Sequence, residues 1–179
     1  LNKDGHLDAV FCPNAIGAHH PRRFLSIAWG GPSGWSGRRV TSALPMNAAA
    51  SVRIVDLNHD GWADIAVLGG GRWRIAQPAG RIIRVFHGSS RGYSAAGFTD
   101  LGVEKAVEIA AADFDRDGSD DLAVLRADGQ VTVFWSETQR QDVHLPGNVG
   151  LCVAGGDVDG DGRSDLVVGT SGETLWAVR

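Results

Sequence analysis

The sequence predicts an all-β fold assembled from one repeated four-stranded unit. One acidic loop recurs in register along the chain, the apolar runs are short and bounded by turn-forming residues, and 25 of 179 residues are glycine. Met46 and Tyr93 are the only residues of their kinds. That balance favours many tight turns between short strands over long helices. No stretch sustains an apolar period of 3.6, the pattern of an amphipathic helix. With 43% hydrophobic residues the chain can bury a core of ordinary domain size.

Three segments align without gaps: Asp56 to Leu68, Asp113 to Leu125 and Asp157 to Gly169. Each reads Asp-x-(Asp/Asn)-x-Asp-Gly-x-x-Asp and then runs into apolar residues. A fourth copy opens the chain, with Asn2, Asp4, Gly5 and Asp8 in the same frame. It lacks a first aspartate, so the chain is expected to begin inside a repeat of something longer. The spacings of 57 and 44 residues suit a four-stranded propeller blade with variable loops. Trp29 to Ser36 also aligns with His87 to Ser94, which extends the repeat well beyond the acidic loop. The expected blades are 1–45 (partial), 46–103, 104–147 and 148–179 (partial).

Within one unit the strands follow from local signals. Val107 to Ala112 is an apolar run into the loop and Leu122 to Leu125 leaves it. Asp128-Gly129 marks a hairpin turn, Gln130 to Trp135 returns with β-branched residues, and Asp142 to Leu145 supplies a fourth strand. Inner strands that are apolar on both sides suit sheets stacked radially with both faces covered.

The loops carry the chemistry. Each complete copy sets side-chain oxygens at positions 1, 3, 5 and 9, with glycine at position 6 relaxing the sharp turn. Calcium takes six to eight oxygen ligands in a flexible shell, and alternating carboxylates on a turning backbone can converge on it. Position 7 varies freely (Trp62, Ser119, Arg163, and His6 in the partial copy), as expected of a carbonyl ligand. An EF-hand needs a glutamate at position 12 and flanking helices; Val67, Val124 and Val168 stand there, inside strand-like runs. Acidic turns without metal are the plain alternative, since Asp and Asn favour turns for their own reasons. Recurrence in register weighs against it.

Loops of this form, followed by Leu-Ala-Val or Leu-Val-Val-Gly and preceded by small residues such as Ala110 to Ala112, resemble the FG-GAP and VCBS repeats of integrin-α-like propellers. The resemblance implies a propeller, commonly of seven blades, with calcium between the first two strands of a blade. It implies three full ligand sets: Asp56, Asn58, Asp60, Asp64 and the Trp62 carbonyl; Asp113, Asp115, Asp117, Asp121 and the Ser119 carbonyl; Asp157, Asp159, Asp161, Asp165 and the Arg163 carbonyl. The partial site has Asn2, Asp4, His6 and Asp8. About three and a half blades cannot close a seven-bladed ring, so an open arc is expected unless the chain self-associates. The resemblance also implies an extracellular or periplasmic module, calcium being structural, that recognises a glycan or a protein. The non-catalytic propeller part of a larger secreted enzyme, or a spacer, is the alternative.

Other features weigh less. The net charge of −4 divides into ten arginines against three aspartates from Arg22 to Arg91, a local +7 that leaves −11 elsewhere. The arginines are scattered and lack the clustered face of a nucleic-acid footprint, so no nucleic-acid partner is expected. No apolar run approaches the roughly 20 residues of a membrane helix, and nothing at the N-terminus reads as a signal peptide. Cys12 and Cys152 fall at different points of the repeat; a disulfide stays open but unsupported, and buried free thiols are expected. Gly88-Ser-Ser90-Arg-Gly92 matches a nucleophile elbow, but Pro32 stands at the equivalent of Ser90 and no helix follows, so a β-turn and no enzymatic role are expected. His19-His20 has no further ligand at metal spacing and is expected in a loop. Trp29, Trp135 and Trp176 are expected between blades; among the loop tryptophans Trp35, Trp62 and Trp73, Trp73 between two arginines is the candidate ligand contact.

Overall fold

Short apolar runs separated by turn residues build four antiparallel meanders. The computed structural model describes residues 1–12, 24–46, 49–69, 81–145, 150–170 and 175–178. The first sheet holds β1 (Ala9–Phe11), β2 (Phe24–Ala28) and β3 (Val40–Pro45); the second holds β4 (Ser51–Val55), β5 (Asp64–Gly69), β6 (Ile82–Phe86) and β7 (Phe98–Leu101). The third holds β8 (Ala106–Ala112), β9 (Asp121–Arg126), β10 (Val131–Phe134) and β11 (Arg140–Val143); the fourth holds β12 (Gly150–Gly156), β13 (Asp165–Thr170) and β14 (Leu175–Val178). Every pairing is antiparallel between neighbours in sequence. Among the described residues there is no α-helix, only a single 3-10 turn at Gly37–Arg39. The hairpin after β9 turns through Gly129 at φ 81°, as Asp128-Gly129 predicts.

The core lies between the sheets. Successive side chains of a strand point to opposite faces, so a strand covered on both sides must be apolar at every position. In β5, Ile65 and Val67 pack against Leu25, Ile27 and Leu44 of the first sheet, while Ala66 and Leu68 pack toward Ile109, Leu122 and Val124 of the third. In β9, Leu122 and Val124 face the second sheet; Ala123 and Leu125 face Val153, Leu166 and Val168 of the fourth. Each fully buried aliphatic side chain contributes about 1.5–3 kcal/mol, which makes these three seams the main source of cohesion. First strands are neighbours, β8 lying against both β4 and β12. This is the arrangement of an open, propeller-like fragment.

Trp29 and Trp135 pack at the seams as expected. The side chain of Trp176, and all of His19, His20 and Trp73, lie outside the described residues. Both cysteines are free, but only Cys12 is part-buried. Cys152 is exposed, contrary to expectation, because β12 belongs to the fourth sheet, which has no further sheet beyond it among the described residues.

Candidate metal loops

The four acidic loops share one backbone conformation. Their sixth residues, Gly5, Gly61, Gly118 and Gly162, have φ of 82°, 81°, 90° and 83°. Their fourth residues are also left-handed: Lys3 at 60°, His59 at 57°, Arg116 at 67° and Gly160 at 78°. A non-glycine residue held there costs about 1–3 kcal/mol, so the loop geometry overrides local preference three times. The sequence advertised the glycines and concealed the fourth position, where side chains differ.

The acids organise the backbone in the same way each time. The third side chain accepts the amide of the fifth residue, as in Asp115 from Asp117 at 3.1 Å and Asp159 from Asp161 at 3.1 Å. The first accepts the amide of the central glycine, as in Asp113 from Gly118 at 3.1 Å and Asp157 from Gly162 at 2.9 Å. The ninth accepts the amide of the second residue: Asp64 from Leu57 at 3.3 Å, Asp121 from Phe114 at 2.8 Å and Asp165 from Val158 at 3.1 Å. Asp64, Asp121 and Asp165 are the buried acids of the described core.

Carboxylates converge in two loops. Asp113, Asp115 and Asp117 each present an oxygen within 4.8 Å of the others, and so do Asp157, Asp159 and Asp165. Asp161 leans instead toward Arg163, 3.5 Å away. In the loop from Asp56 to Asp64, the Asn58 amide donates to Asp60 at 3.2 Å, and in the first loop Asn2 donates to Asp4 at 3.0 Å. An amide at the third position thus relieves part of the repulsion that a third carboxylate would add.

The ninth positions are not equivalent. Gly88 N–H donates to Asp64 Oδ1 at 2.8 Å, and Gly30 N–H to Asp8 Oδ1 at 2.8 Å. The approach demands glycine, because a Cβ on Gly88 would lie 2.2 Å from the Ala63 carbonyl oxygen and one on Gly30 would lie 2.3 Å from that of Leu7. The third sheet has Ser136 at this place, and its amide turns to Gln139 O at 3.3 Å. Asp121 Oδ1 is therefore buried without a hydrogen-bond partner. Burial, with the charges of Asp115 and Asp117 nearby, pushes the Asp121 carboxyl up to about 7. Among the described residues no ion pair reaches this carboxyl, and a loop crowded with carboxylate oxygens is the donor set that a hard divalent cation takes.

Neighbouring loops touch through their fourth residues. Lys3 Nζ stands 4.3 Å from the centroid of the Trp62 ring in the second loop. His59 Nδ1 is 3.1 Å from Asp117 Oδ2 in the third, while its Nε2 meets the Trp135 carbonyl oxygen at 2.9 Å. That carbonyl, and then Asp117, hold the imidazole above its ordinary pKa. Between the first three loops opens a cleft of about 530 Å³ lined by residues including Lys3, His6, Ile54, Asp56, Ser119 and Asp120.

A second regularity escaped sequence inspection. The second residue of each loop is apolar: Leu1, Leu57, Phe114 and Val158. Leu1, Leu57 and Phe114 pack into the seam with the following sheet, so the first three loops each peg their own sheet to the next. Ser90 lies exposed in the turn closed by Gly92 N–H to Ser89 O at 2.8 Å, with no helix after it. Trp35 is 59% exposed, its indole N–H donating to Leu7 O at 2.6 Å.

Radially stacked antiparallel sheets, each entered through an acidic loop between its first two strands, define a propeller-like repeat protein. The chain carries an FG-GAP-like repeat, whose family model matches residues 113–168, from the start of the third loop into β13. No curated protein matches the chain.

Proposed function

We propose that the chain is a calcium-binding propeller module, without catalytic activity of its own, that recognises a glycan or a protein outside the cell or in the periplasm. The observation that carries the calcium reading is the convergence of Asp113, Asp115 and Asp117 in a loop whose ninth residue, Asp121, keeps a buried Oδ1 without a hydrogen-bond partner. When bound, the ion neutralises the crowded carboxylates and fixes the loops. In the fourth loop the converging set is Asp157, Asp159 and the ninth residue, Asp165. The loops from Asn2 to Asp8 and from Asp56 to Asp64, each with an asparagine at the third position, are the weaker sites. The cleft between the first three loops, lined by charges of both signs and by the exposed Ile54, is the surface offered to a ligand. Its volume falls within the roughly 300–1,000 Å³ of small-molecule and sugar-sized sites.

Thermal melting in calcium and in EDTA tests the metal. At calcium a hundredfold above Kd, each occupied site adds about 2.7 kcal/mol, and affinities of about 10⁻⁴ to 10⁻³ M are usual for extracellular modules. Superimposable melting curves would refute calcium binding. A glycan array and a surface-protein pull-down, compared between the wild type and Asp120→Ala, test recognition; retention of nothing on either points to a spacer.

A further inference from the structure

The fifth residue of each acidic loop is held at both carboxylate oxygens. Oδ1 always accepts the backbone N–H of the seventh residue: Asp4 from His6 at 2.9 Å, Asp60 from Trp62 at 2.8 Å, Asp117 from Ser119 at 2.8 Å and Asp161 from Arg163 at 2.9 Å. In three loops the partner of Oδ2 belongs to the same loop: the Asn2 amide at 3.0 Å, the Asn58 amide at 3.2 Å and Arg163 Nε at 3.5 Å. In the third loop it comes from another sheet. His59 Nδ1, from the loop of the second sheet, stands 3.1 Å from Asp117 Oδ2. The third loop has Asp115 where the first two have asparagine, and a carboxylate has no N–H to give. Its seventh residue is the short Ser119 in place of arginine.

His59 is itself fixed at two further points. Its backbone is left-handed at φ 57°, and its Nε2 meets the Trp135 carbonyl oxygen at 2.9 Å, just past β10. Glu137 N–H donates to Leu57 O at 3.3 Å, so the hairpin of the third sheet grips the second loop on both sides of Asn58. One sheet delivers the imidazole and the next aligns it.

The partner decides where the fifth carboxylate goes. Asp117, held from outside its loop, keeps an oxygen within 4.8 Å of those of Asp113 and Asp115. In the fourth loop the convergent set is Asp157, Asp159 and Asp165, while Asp161 turns to its own Arg163. An ionised carboxylate has about four lone-pair sites, so two N–H contacts leave both oxygens of Asp117 open to a cation.

We propose that His59 is a positioning residue for calcium in the third loop, orienting Asp117 from the neighbouring sheet before the ion arrives. The proposal rests on the calcium reading of that loop. Outer contacts that orient ligating carboxylates typically change metal affinity by about 10–100-fold when removed. Both side chains are 37% exposed, so the lower end, about tenfold, is expected here. Affinity at the third loop then depends on the fold of the second.

Calcium titration of the metal-free chain, followed by proton–nitrogen NMR spectra, tests this. The amides of Gly61, Gly118 and Gly162 each donate to the first aspartate of their own loop and so report the second, third and fourth loops separately. His59→Gly withdraws the imidazole and keeps the turn, since Gly160 holds the same left-handed conformation in the fourth loop. It is expected to move the Gly118 midpoint about tenfold higher in calcium and to leave those of Gly61 and Gly162 in place. His59→Asn sets an N–H donor as many bonds from the backbone as Nδ1 and is expected to restore most of the affinity. Dispersed metal-free spectra confirm that both variants are folded. A Gly118 midpoint that stays or falls, a Gly61 shift as large as that of Gly118, or an asparagine no better than glycine would each overturn the proposal and leave the calcium reading standing. A wild type whose Gly118 ignores calcium would overturn the calcium reading of the third loop, and the proposal with it.

Discussion

The backbone N–H of Gly88 donates to Asp64 Oδ1 at 2.8 Å, tying the hairpin after β6 to the ninth residue of the acidic loop. A methyl group on Gly88 would sit 2.2 Å from the Ala63 carbonyl oxygen, so the hairpin must retreat and the buried carboxylate loses a donor. Gly88→Ala should therefore destabilise the chain by about 1–3 kcal/mol, the usual cost of orphaning a buried polar group. Gly92→Ala, at φ 80° in open space, should cost about 1 kcal/mol from backbone strain alone. Urea unfolding of the two variants measures the difference.

Asp121 gives the metal-free chain a distinctive pH dependence. An unfolded chain releases this proton near 3.8, while the folded chain holds it to about 7. Across that window the folded state binds more protons, so this group's contribution to stability falls as pH rises. In EDTA the melting temperature should climb when the pH is lowered from 7 to 5. In calcium the trend should reverse, because protons then compete with the ion. Melting scans in the two buffers at both pH values check the crossing.

Asp121→Asn separates the two roles of that carboxylate. The substitution removes a charge that nothing offsets in EDTA, so the metal-free melting temperature should rise. The calcium-induced increment should shrink by the contribution of one site, about 2.7 kcal/mol at a hundredfold excess over Kd. Asp100→Asn, which breaks the 2.6 and 2.8 Å contacts with Arg84 away from the loops, should leave the calcium increment intact.

The pegs provide a test of packing. Leu57 is fully buried between sheets, and Leu57→Ala should cost about 2–5 kcal/mol through lost contacts and the cavity left behind. Val158, its counterpart in the fourth loop, is 61% exposed in the single chain. In dilute solution Val158→Ala should stay within about 0.5 kcal/mol of wild type. Chemical denaturation at low concentration reads both.

Much of this was legible in the residues. The strand pattern around Asp113 appeared as β8 to β11 within a residue or two, because short apolar runs bounded by Gly, Asp and Asn leave few alternatives to a meander. The loop chemistry was legible because position 6 must be glycine and positions 1, 3, 5 and 9 must be oxygen donors. The left-handed fourth residue was hidden, since Lys3, His59 and Arg116 have nothing in common as side chains and take it from the turn of the loop around them. The pegs at Leu57 and Phe114 looked like incidental apolar residues inside an acidic stretch. The cross-loop contact of His59 with Asp117 joins residues 58 positions apart, and no local pattern encodes it.

By itself the sequence determined the repeat, the strands and the acidic turns, because each depends on residues close together in the chain and on the fixed periodicity of side chains along a strand. Only the tertiary structure decided which oxygens converge, which carboxylate is left without a donor, and which apolar faces are covered. Those outcomes depend on where one sheet stops relative to the next. Whether position 136 is glycine or serine matters only once that hairpin is folded back against Asp121.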